Sequence, residues 1–384
     1  MRFCIVGAGF SGAIIARHLS EKGHKVLLLD ERSHIAGNCH TERDDKTGVM
    51  VHRYGPHIFH TADERAWSYI QRFGKFRPYI NRVKAISQEH MYSLPVNLLT
   101  INQFFNTLMS PAQARAFIEE KADKSIKDPK NFEEQALSMI GPELYKAFFY
   151  GYTRKQWGLE PTELPASIIK RLPLRFNYDD NYFNHPYQGM PEDGYSAIVE
   201  NILESENIEI RLDTKFESVS ENFQHVFYTG PIDRYFSFTL GRLGYRTLDF
   251  ERIDSDGDYQ GTAVINYCDQ EVPFTRISEH KHFAPWEADS LQKTVAFKEY
   301  SRLAEPKDVP YYPIRLANEK TMLESYIALA RKSTGVSFLG RLGTYRYLDM
   351  DVTISEALKA CDQIDQLLVA GSSLPTFFID PSLN

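Results

Sequence analysis

The chain has 384 residues, 42% hydrophobic and 25% charged, which is enough for a large core divided over two or three domains. A net charge of −7 argues against nucleic acid as a partner, so an anionic ligand needs a locally basic pocket. No apolar run approaches the ~20 residues of a bilayer span, and Cys4, Cys39, Cys268 and Cys361 lack CxxC or zinc spacing, so a cytoplasmic protein with reduced thiols and no membrane insertion is expected.

Residues 2–6 read as an apolar strand running into Gly7-Ala8-Gly9-Phe10-Ser11-Gly12, then a helix carrying Ile14, Ile15 and Leu19, then a strand over 25–30. This is the context that a dinucleotide fingerprint requires: Gly7 for the tight turn, Gly9 for close approach of a pyrophosphate, Gly12 for helix–strand packing. The pyrophosphate then sits on the free N–H groups of the helix start. Asp30 ends the second strand about 20 residues on, where a carboxylate accepts from a ribose 2′-OH. Glu31 and Arg32 follow, then Ile35-Ala36-Gly37-Asn38, similar to the extended motif of amine-oxidase-like FAD proteins. Ala36 stands where that motif has glycine, which is tolerable if its φ is negative. No His, Lys or Tyr system of an NAD dehydrogenase is identifiable downstream, so FAD is favoured over NAD.

After a polar stretch, Gly55-Pro56-His57-Ile58-Phe59-His60-Thr61 leads to a helix expected to begin at a Thr61/Glu64 capping pair and to run through Trp67, Ile70 and Phe73. Residues from about 100 to 160 read as helical, with N-cap spacing at Thr100/Gln103, Ser110/Gln113 and Asn131/Glu134 and Pro111 in a first helical position. From 207 onward strands are expected at 208–212, 225–228, 233–239, 259–267 and 294–300, some of them in an antiparallel sheet. The end returns to α/β character: a helix at 320–331, a buried strand at 336–339, the loop Gly340-Arg341-Leu342-Gly343, then Leu348-Asp349-Met350-Asp351. A final helix follows, capped by Thr353 and Glu356, with Ile354, Ala357, Leu358, Cys361, Ile364 and Leu367 on one face. Aimed at the N1–C2=O edge of a flavin, its N-terminus would stabilise a reduced, anionic ring. The expected fold is α/β. A discontinuous Rossmann-like FAD-binding domain (1–80, 190–230, 320–384) carries an inserted helical domain with a mobile loop (95–175) and an antiparallel β-sheet substrate domain (81–94, 176–189, 231–319).

The segments GAGFSGA (7–13), YGPHIFHT (54–61), PYINRVKA (78–85), SLPVNLLTINQFF (93–105), KQWG (155–158) and ELPASIIKRLPLRFNYDDNYFNH (163–185) occur in that order. GRLGYRTLDF (241–250), EHKHF (279–283), PYYPIR (310–315) and GRLGTYRYLDMDVTI (340–354) follow. By these blocks the chain resembles the bacterial UDP-galactopyranose mutases along essentially its whole length. The glycine motif is shared by many flavoproteins, whereas KQWG, KRLPLRFNYDDNYF and GRLGTYRYLDMD are far more specific.

The resemblance implies a flavin-dependent isomerase that interconverts UDP-galactopyranose and UDP-galactofuranose, supplying galactofuranose for surface polysaccharide, and a homodimer. It implies FAD active in the reduced form, with N5 attacking the anomeric carbon and displacing UDP without net redox change. Arg171 and Arg276 are the diphosphate candidates, because a guanidinium is a permanently charged, bidentate donor. Arg171 would belong to a mobile loop, in a stretch punctuated by Pro161, Pro165 and Pro173. His57, Ile58 and His60 fall beside the flavin, with His60 as a tuning residue, and Arg341, Leu348, Asp349 and Met350 complete the cofactor set. Trp157 would stack on uracil with Phe148, Phe149 and Tyr152 nearby and Thr153 donating a hydrogen bond; at helical spacing such aromatics also read as core. Tyr182, Tyr312 and Tyr347 would donate to phosphate oxygens, and Asn81 and Asn266 match substrate contacts. An amine-oxidase-like oxidase is the alternative, disfavoured by the arginine pair. A catalytically silent nucleotide-sugar binder would keep Trp157 and both arginines.

Overall fold

Strand β1 (Arg2–Val6), helix α1 (Phe10–Glu21) and strand β2 (Lys25–Leu29) form the expected unit, with β1 and β2 parallel from Arg2 opposite Lys25 to Val6 opposite Leu29. The structure is a computed structural model that describes residues 1–171 and 174–382, without the side chains of Ser167, Lys170, Arg171, Ala317 and Asn318. Three further strands complete a five-stranded, all-parallel sheet in the order Ile208–Arg211, β2, β1, His225–Tyr228, Val336–Phe338. A parallel sheet is covered on both faces and so reads as continuous apolar runs, as Val26–Leu29 does. Helix α1 is buried from Phe10 to Ala16, because the helices Met350–Val369 and Gly194–Leu203 pack over it.

The second large sheet has seven strands, in the order Tyr312–Pro313, Tyr245–Asp256, Lys293–Leu303, Arg276–Glu279, Val264–Tyr267, Val83–Ser87, His90–Leu94. Every pairing is antiparallel except that of Val264–Tyr267 with Val83–Ser87. The helical block comprises Leu98–Phe104, Pro111–Lys121, Phe132–Leu144, a π-helical turn at Tyr145–Tyr150, and Gly151–Trp157. A small sheet, Phe59–Thr61, Tyr187–Pro191 and Phe76–Pro78, carries His60. Among the described residues no helix is long and apolar enough to cross a membrane, and all four cysteines are free.

Several local expectations are corrected. Helix Glu64–Gln71 is capped by Asp63, whose carboxylate accepts from Arg65 and Ala66 N–H, while Thr61 ends a strand and its Oγ1 accepts from Asp63 N–H at 2.9 Å. Asn97, not Thr100, caps Leu98–Phe104. The last helix starts at Met350 after Asp349, and Thr353 sits inside it, its Oγ1 donating to Asp349 O at 3.0 Å. In the first two cases an Asp or Asn lies upstream in extended backbone and takes the position, since its oxygen reaches N2 or N3 at least as well as a hydroxyl; Asp349 precedes the last helix in extended backbone without a side-chain cap. Ser110 with Gln113 forms the full capping box, with Pro111 first in its helix, and Asn131 caps the next helix.

Residues 233–239 are not a strand. Ile232–Tyr235 is a short helix, followed by Ser237 and Phe238 at positive φ. Asp233 holds the turn by accepting from Arg234 and Leu243 N–H, and Tyr235 and Phe236 pack on Phe338. Of residues 259–267 only Val264–Tyr267 pairs, because the N–H groups of Tyr259, Gln260 and Gly261 turn onto the Glu279 carboxylate.

Candidate functional site

A groove of about 840 Å³ runs from the loop after β1 to the start of the last helix. Gly7, Gly9, Phe10 and Ser11 form one wall, and Leu348, Met350 and Thr353 close the far end. The loop has the shape that a pyrophosphate needs. Gly7 has φ +108°, and a Cβ there would lie 2.0 Å from Thr229 Oγ1; a Cβ on Gly9 would meet nothing within 4 Å; one on Gly12 would lie 1.9 Å from Gly7 O. Helix α1 has no side-chain N-cap and no acid in its first turn, so its leading N–H groups are left for an anion.

Both acids that follow the second strand line the groove. Asp30 Oδ2 accepts from Ala8 N–H (2.8 Å) and Oδ1 from Arg32 N–H (2.9 Å), so Asp30 braces the glycine loop. Glu31 is the next groove-lining acid, its Oε1 accepting from Arg234 Nη1 at 2.5 Å. Ala36 corrects another expectation: its φ is +71°, in the left-handed region, at a cost of about 1 kcal/mol. The chain turns there so that Ala36 N–H can donate to Ala8 O (2.9 Å) and Gly37 can pass close to Gly9. Asn38 Oδ1 accepts from Arg32 Nη2 at 2.9 Å.

At the far end, His57 Nδ1 lies 2.9 Å from Gly55 O. Burial, aided by the Arg341 charge, pushes the His57 pKa down to about 4, so the ring is neutral at neutral pH. Arg341 Nε donates to Leu348 O (3.0 Å) and Nη1 to Tyr311 O (3.2 Å), which fixes the loop ahead of the last helix. Ile58 packs against the core, and Asp349 is the N-cap. His60 stacks on Phe183 (3.7 Å between centroids) with its Nδ1 2.8 Å from His185 Nδ1, and burial lowers its pKa against the Asp349 charge.

The substrate candidates gather on one face of the seven-stranded sheet. Residues directly opposite on paired strands share a face. Phe250 faces Glu299, Glu299 faces Arg276, Arg276 faces Asn266, and Asn266 faces Ala85. Arg276 Nε donates to Glu299 Oε1 at 2.7 Å; the carboxylate side chain is 1% exposed and the guanidinium side chain 25%. Burial works to lower the Arg276 pKa, but Glu299 together with Tyr152 and Tyr312 more than offsets it and the group is raised. The field of Arg276 reaches Tyr152, Tyr182 and Tyr312, whose pKa values burial raises, so all three are phenol donors at neutral pH. Tyr312 stacks on Tyr347 at 5.6 Å, and Arg341 lies over the Tyr347 ring at 5.3 Å. Gly55 brings the loop carrying His57 over this row, an ideal Cβ there lying 3.9 Å from Arg276 Nη2. Asn81 is 4% exposed and its Oδ1 has no partner, an open acceptor, while its carbonyl accepts from Tyr182 N–H at 2.9 Å.

Tyr152, Thr153 and Trp157 ride on helix Gly151–Trp157, with Thr153 buried and Trp157 half-buried against the core. Phe149 is half-buried, but Phe148 is core, edge-on to Tyr92 at 5.0 Å. Arg171 lies outside the described side chains. Sequence reasoning missed Glu299, Lys155 and His185. Glu299 had a signal, an acid in phase with the buried Val295 and Phe297 of one strand; His185 lies within the quoted 163–185 block, but no spacing rule marks it.

A sequence model of the UDP-galactopyranose mutase family matches residues 147–347, and one of NAD(P)-binding Rossmann-like domains matches residues 5–73. The chain is 56% identical to a probable UDP-galactopyranose mutase of Klebsiella pneumoniae, over 98% of this chain and 97% of that one. It is 52% identical to the dTDP-fucopyranose mutase of Escherichia coli, over 94% and 97%. A crystal structure of a reduced UDP-galactopyranose mutase superposes with a TM-score of 0.74 at 15% identity, covering 98% of both chains.

Proposed function

The chain belongs to the UDP-galactopyranose mutase family of flavoenzyme isomerases, and from that premise we propose that it interconverts UDP-galactopyranose and UDP-galactofuranose with FAD held in the groove. The groove suits that cofactor: an uncapped helix start at one end for a pyrophosphate, and a second helix start beside neutral His57 at the other for a flat ring. Bound there in reduced form, FAD supplies a nucleophilic N5 for the anomeric carbon with no net redox change. Gly7, Gly9, Phe10, Ser11 and Gly12 shape the pyrophosphate cradle, and Asp30 and Glu31 take the ribose hydroxyls. Asn38, His57, Arg341, Leu348, Asp349 and Met350 hold the remainder, and Ile58 backs them from the core.

Arg276, with Arg171, holds the diphosphate and stabilises the charge that builds as UDP departs. Tyr182, Tyr312 and Tyr347 donate to phosphate oxygens, Asn81 and Asn266 orient the sugar, and Trp157 offers the face for uracil with Phe149, Tyr152 and Thr153. His60, neutral and stacked on Phe183, tunes the flavin end rather than moving a proton of the substrate. The observation that carries the reading is the Arg276 guanidinium, which is anchored from behind by buried Glu299 and whose field acts on three protonated phenols and on His57 in the groove lining. A flavoprotein oxidase is set aside, since nothing in its chemistry calls for such a cation. The reading includes a cytoplasmic homodimer whose product is destined for surface polysaccharide.

The test is incubation of dithionite-reduced protein with UDP-galactofuranose and separation of the nucleotide sugars. We expect UDP-galactopyranose to form, and not with oxidised protein; no conversion, or equal conversion by both forms, overturns the proposal. Because a 52% identical relative is named for dTDP-fucopyranose, that sugar nucleotide is run in parallel, and faster turnover of it reassigns the substrate.

A further inference from the structure

A nucleoside diphosphate has to meet two elements at once. Helix Gly151–Trp157 carries Tyr152, Thr153 and Trp157; the strands Val264–Tyr267 and Arg276–Glu279 carry Asn266 and Arg276. More than a hundred residues separate them in sequence, and one face of the helix joins them. At Gly151 the helix rides directly on backbone, where a Cβ would lie 2.3 Å from Cys268 O and 3.0 Å from Gln270 N. One turn on, Lys155 Nζ donates to Tyr267 O (2.6 Å), Asp269 O (2.9 Å) and Phe274 O (3.0 Å), using all three of its protons. These carbonyls lie on both limbs of the connection leading to Arg276. The helix end is pinned from another side, since Gln156 O accepts from Arg246 Nε (3.1 Å) and Ser301 Oγ (2.6 Å).

Taking the proposed function as its basis, we infer that Lys155 is a positioning residue: it clamps the connection that bears Arg276 to the helix that bears Trp157, so that base and diphosphate are met by one pre-aligned unit. A lysine suits the task because its three donors diverge from a compact head, where a planar guanidinium could not reach three carbonyls so placed. Alignment set before binding is alignment that the ligand need not impose. The titratable groups acting on Nζ are Cys268, Asp269 and Glu271 on the connection, while Arg246, beside the helix end, donates to the Lys155 carbonyl at 3.4 Å. Burial lowers the Lys155 pKa to about 8 against those first three, and the Cys268 thiol is pushed up to about 12, so the clamp titrates apart from that thiol.

The test uses FAD-loaded protein. Lys155→Met keeps the stem and removes the donors. Titrated with UDP and separately with uridine, it is expected to bind UDP about tenfold more weakly than the unaltered protein while uridine, which needs the helix alone, binds equally well; Lys155→Arg should recover part of the loss. Unchanged UDP affinity overturns the inference, and so does an equal loss for both ligands, which would put Lys155 within the base platform. If Lys155→Met fails to fold or sheds FAD, the unaltered protein decides. Its UDP affinity relative to uridine should fall from about pH 7 to about pH 8.8, and a flat ratio overturns the clamp. Protein that turns over UDP-galactofuranose yet binds UDP equally well as Lys155→Met sinks this inference alone; protein that binds no UDP sinks the functional reading with it.

Discussion

Arg276 and Glu299 face each other across paired strands, so a substitution at Arg276 does two things. It removes the proposed diphosphate ligand, and it strands a carboxylate that is 1% exposed. Removing one partner of a buried ion pair costs on the order of 3 kcal/mol. Arg276→Ala is therefore expected to lose both turnover and about that much stability, while Arg276→Ala combined with Glu299→Gln recovers most of the stability and none of the turnover. Guanidinium denaturation beside the mutase assay separates the two; full stability in the single variant would show that Glu299 finds another partner. At this scale the sequence is a partial guide. Arg276 was legible through the family resemblance and the chemistry of a guanidinium, but its anchor was not, because a pairing between residues 23 apart depends on strand register. Spacing located Asp30 at the end of its strand without showing that its carboxylate also accepts from Ala8 N–H in the glycine loop. The methyl of Ala36 said nothing of the sign of its φ.

Among the elements, helix starts show where a spacing rule holds and where it is overruled. Ser110 accepts from Gln113 N–H and Gln113 reaches back to the Ser110 backbone, both at the surface. Thr353 has the same spacing to Glu356, yet lies inside a helix that Asp349 begins. Ser110→Ala is expected to cost about 1 kcal/mol, seen as a lower urea midpoint at constant slope, and Thr353→Ala much less. Equal losses would mean that both hydroxyls cap. The long strand Tyr245–Asp256 escaped notice for a related reason: its outer half alternates charged and polar residues that only a partner strand, Lys293–Leu303, makes regular. The parallel strands were legible because burial on both faces leaves an apolar run that no partner is needed to explain.

The molecule as a whole buries histidines in their neutral form. Burial pushes His57 and His225 down to about 4 and His280 to about 3. An unfolded chain takes up these protons near the ordinary value of 6.5, whereas the folded one does so only near 3 to 4. Below about pH 6.5 the unfolded state therefore binds more protons, and stability is lost as pH falls through that window. Glu279, held at about 2 against burial by His282 and three backbone N–H groups, adds a loss below its ordinary value of 4.5. The guanidinium midpoint should be level between about pH 6.5 and about pH 8 and fall steadily below that window; a midpoint constant down to about pH 4.5 would show that these rings are solvated. The arrangement of the parallel sheet has a consequence in time. One of its two edge strands is Val336–Phe338, and one of the two helices that cover α1 is Met350–Val369. A polypeptide still threading out of the ribosome thus carries its glycine loop for most of its synthesis with no finished berth around it. A dinucleotide is therefore expected to be captured after translation rather than during it, and through that interval the side of α1 that Met350–Val369 covers waits bare.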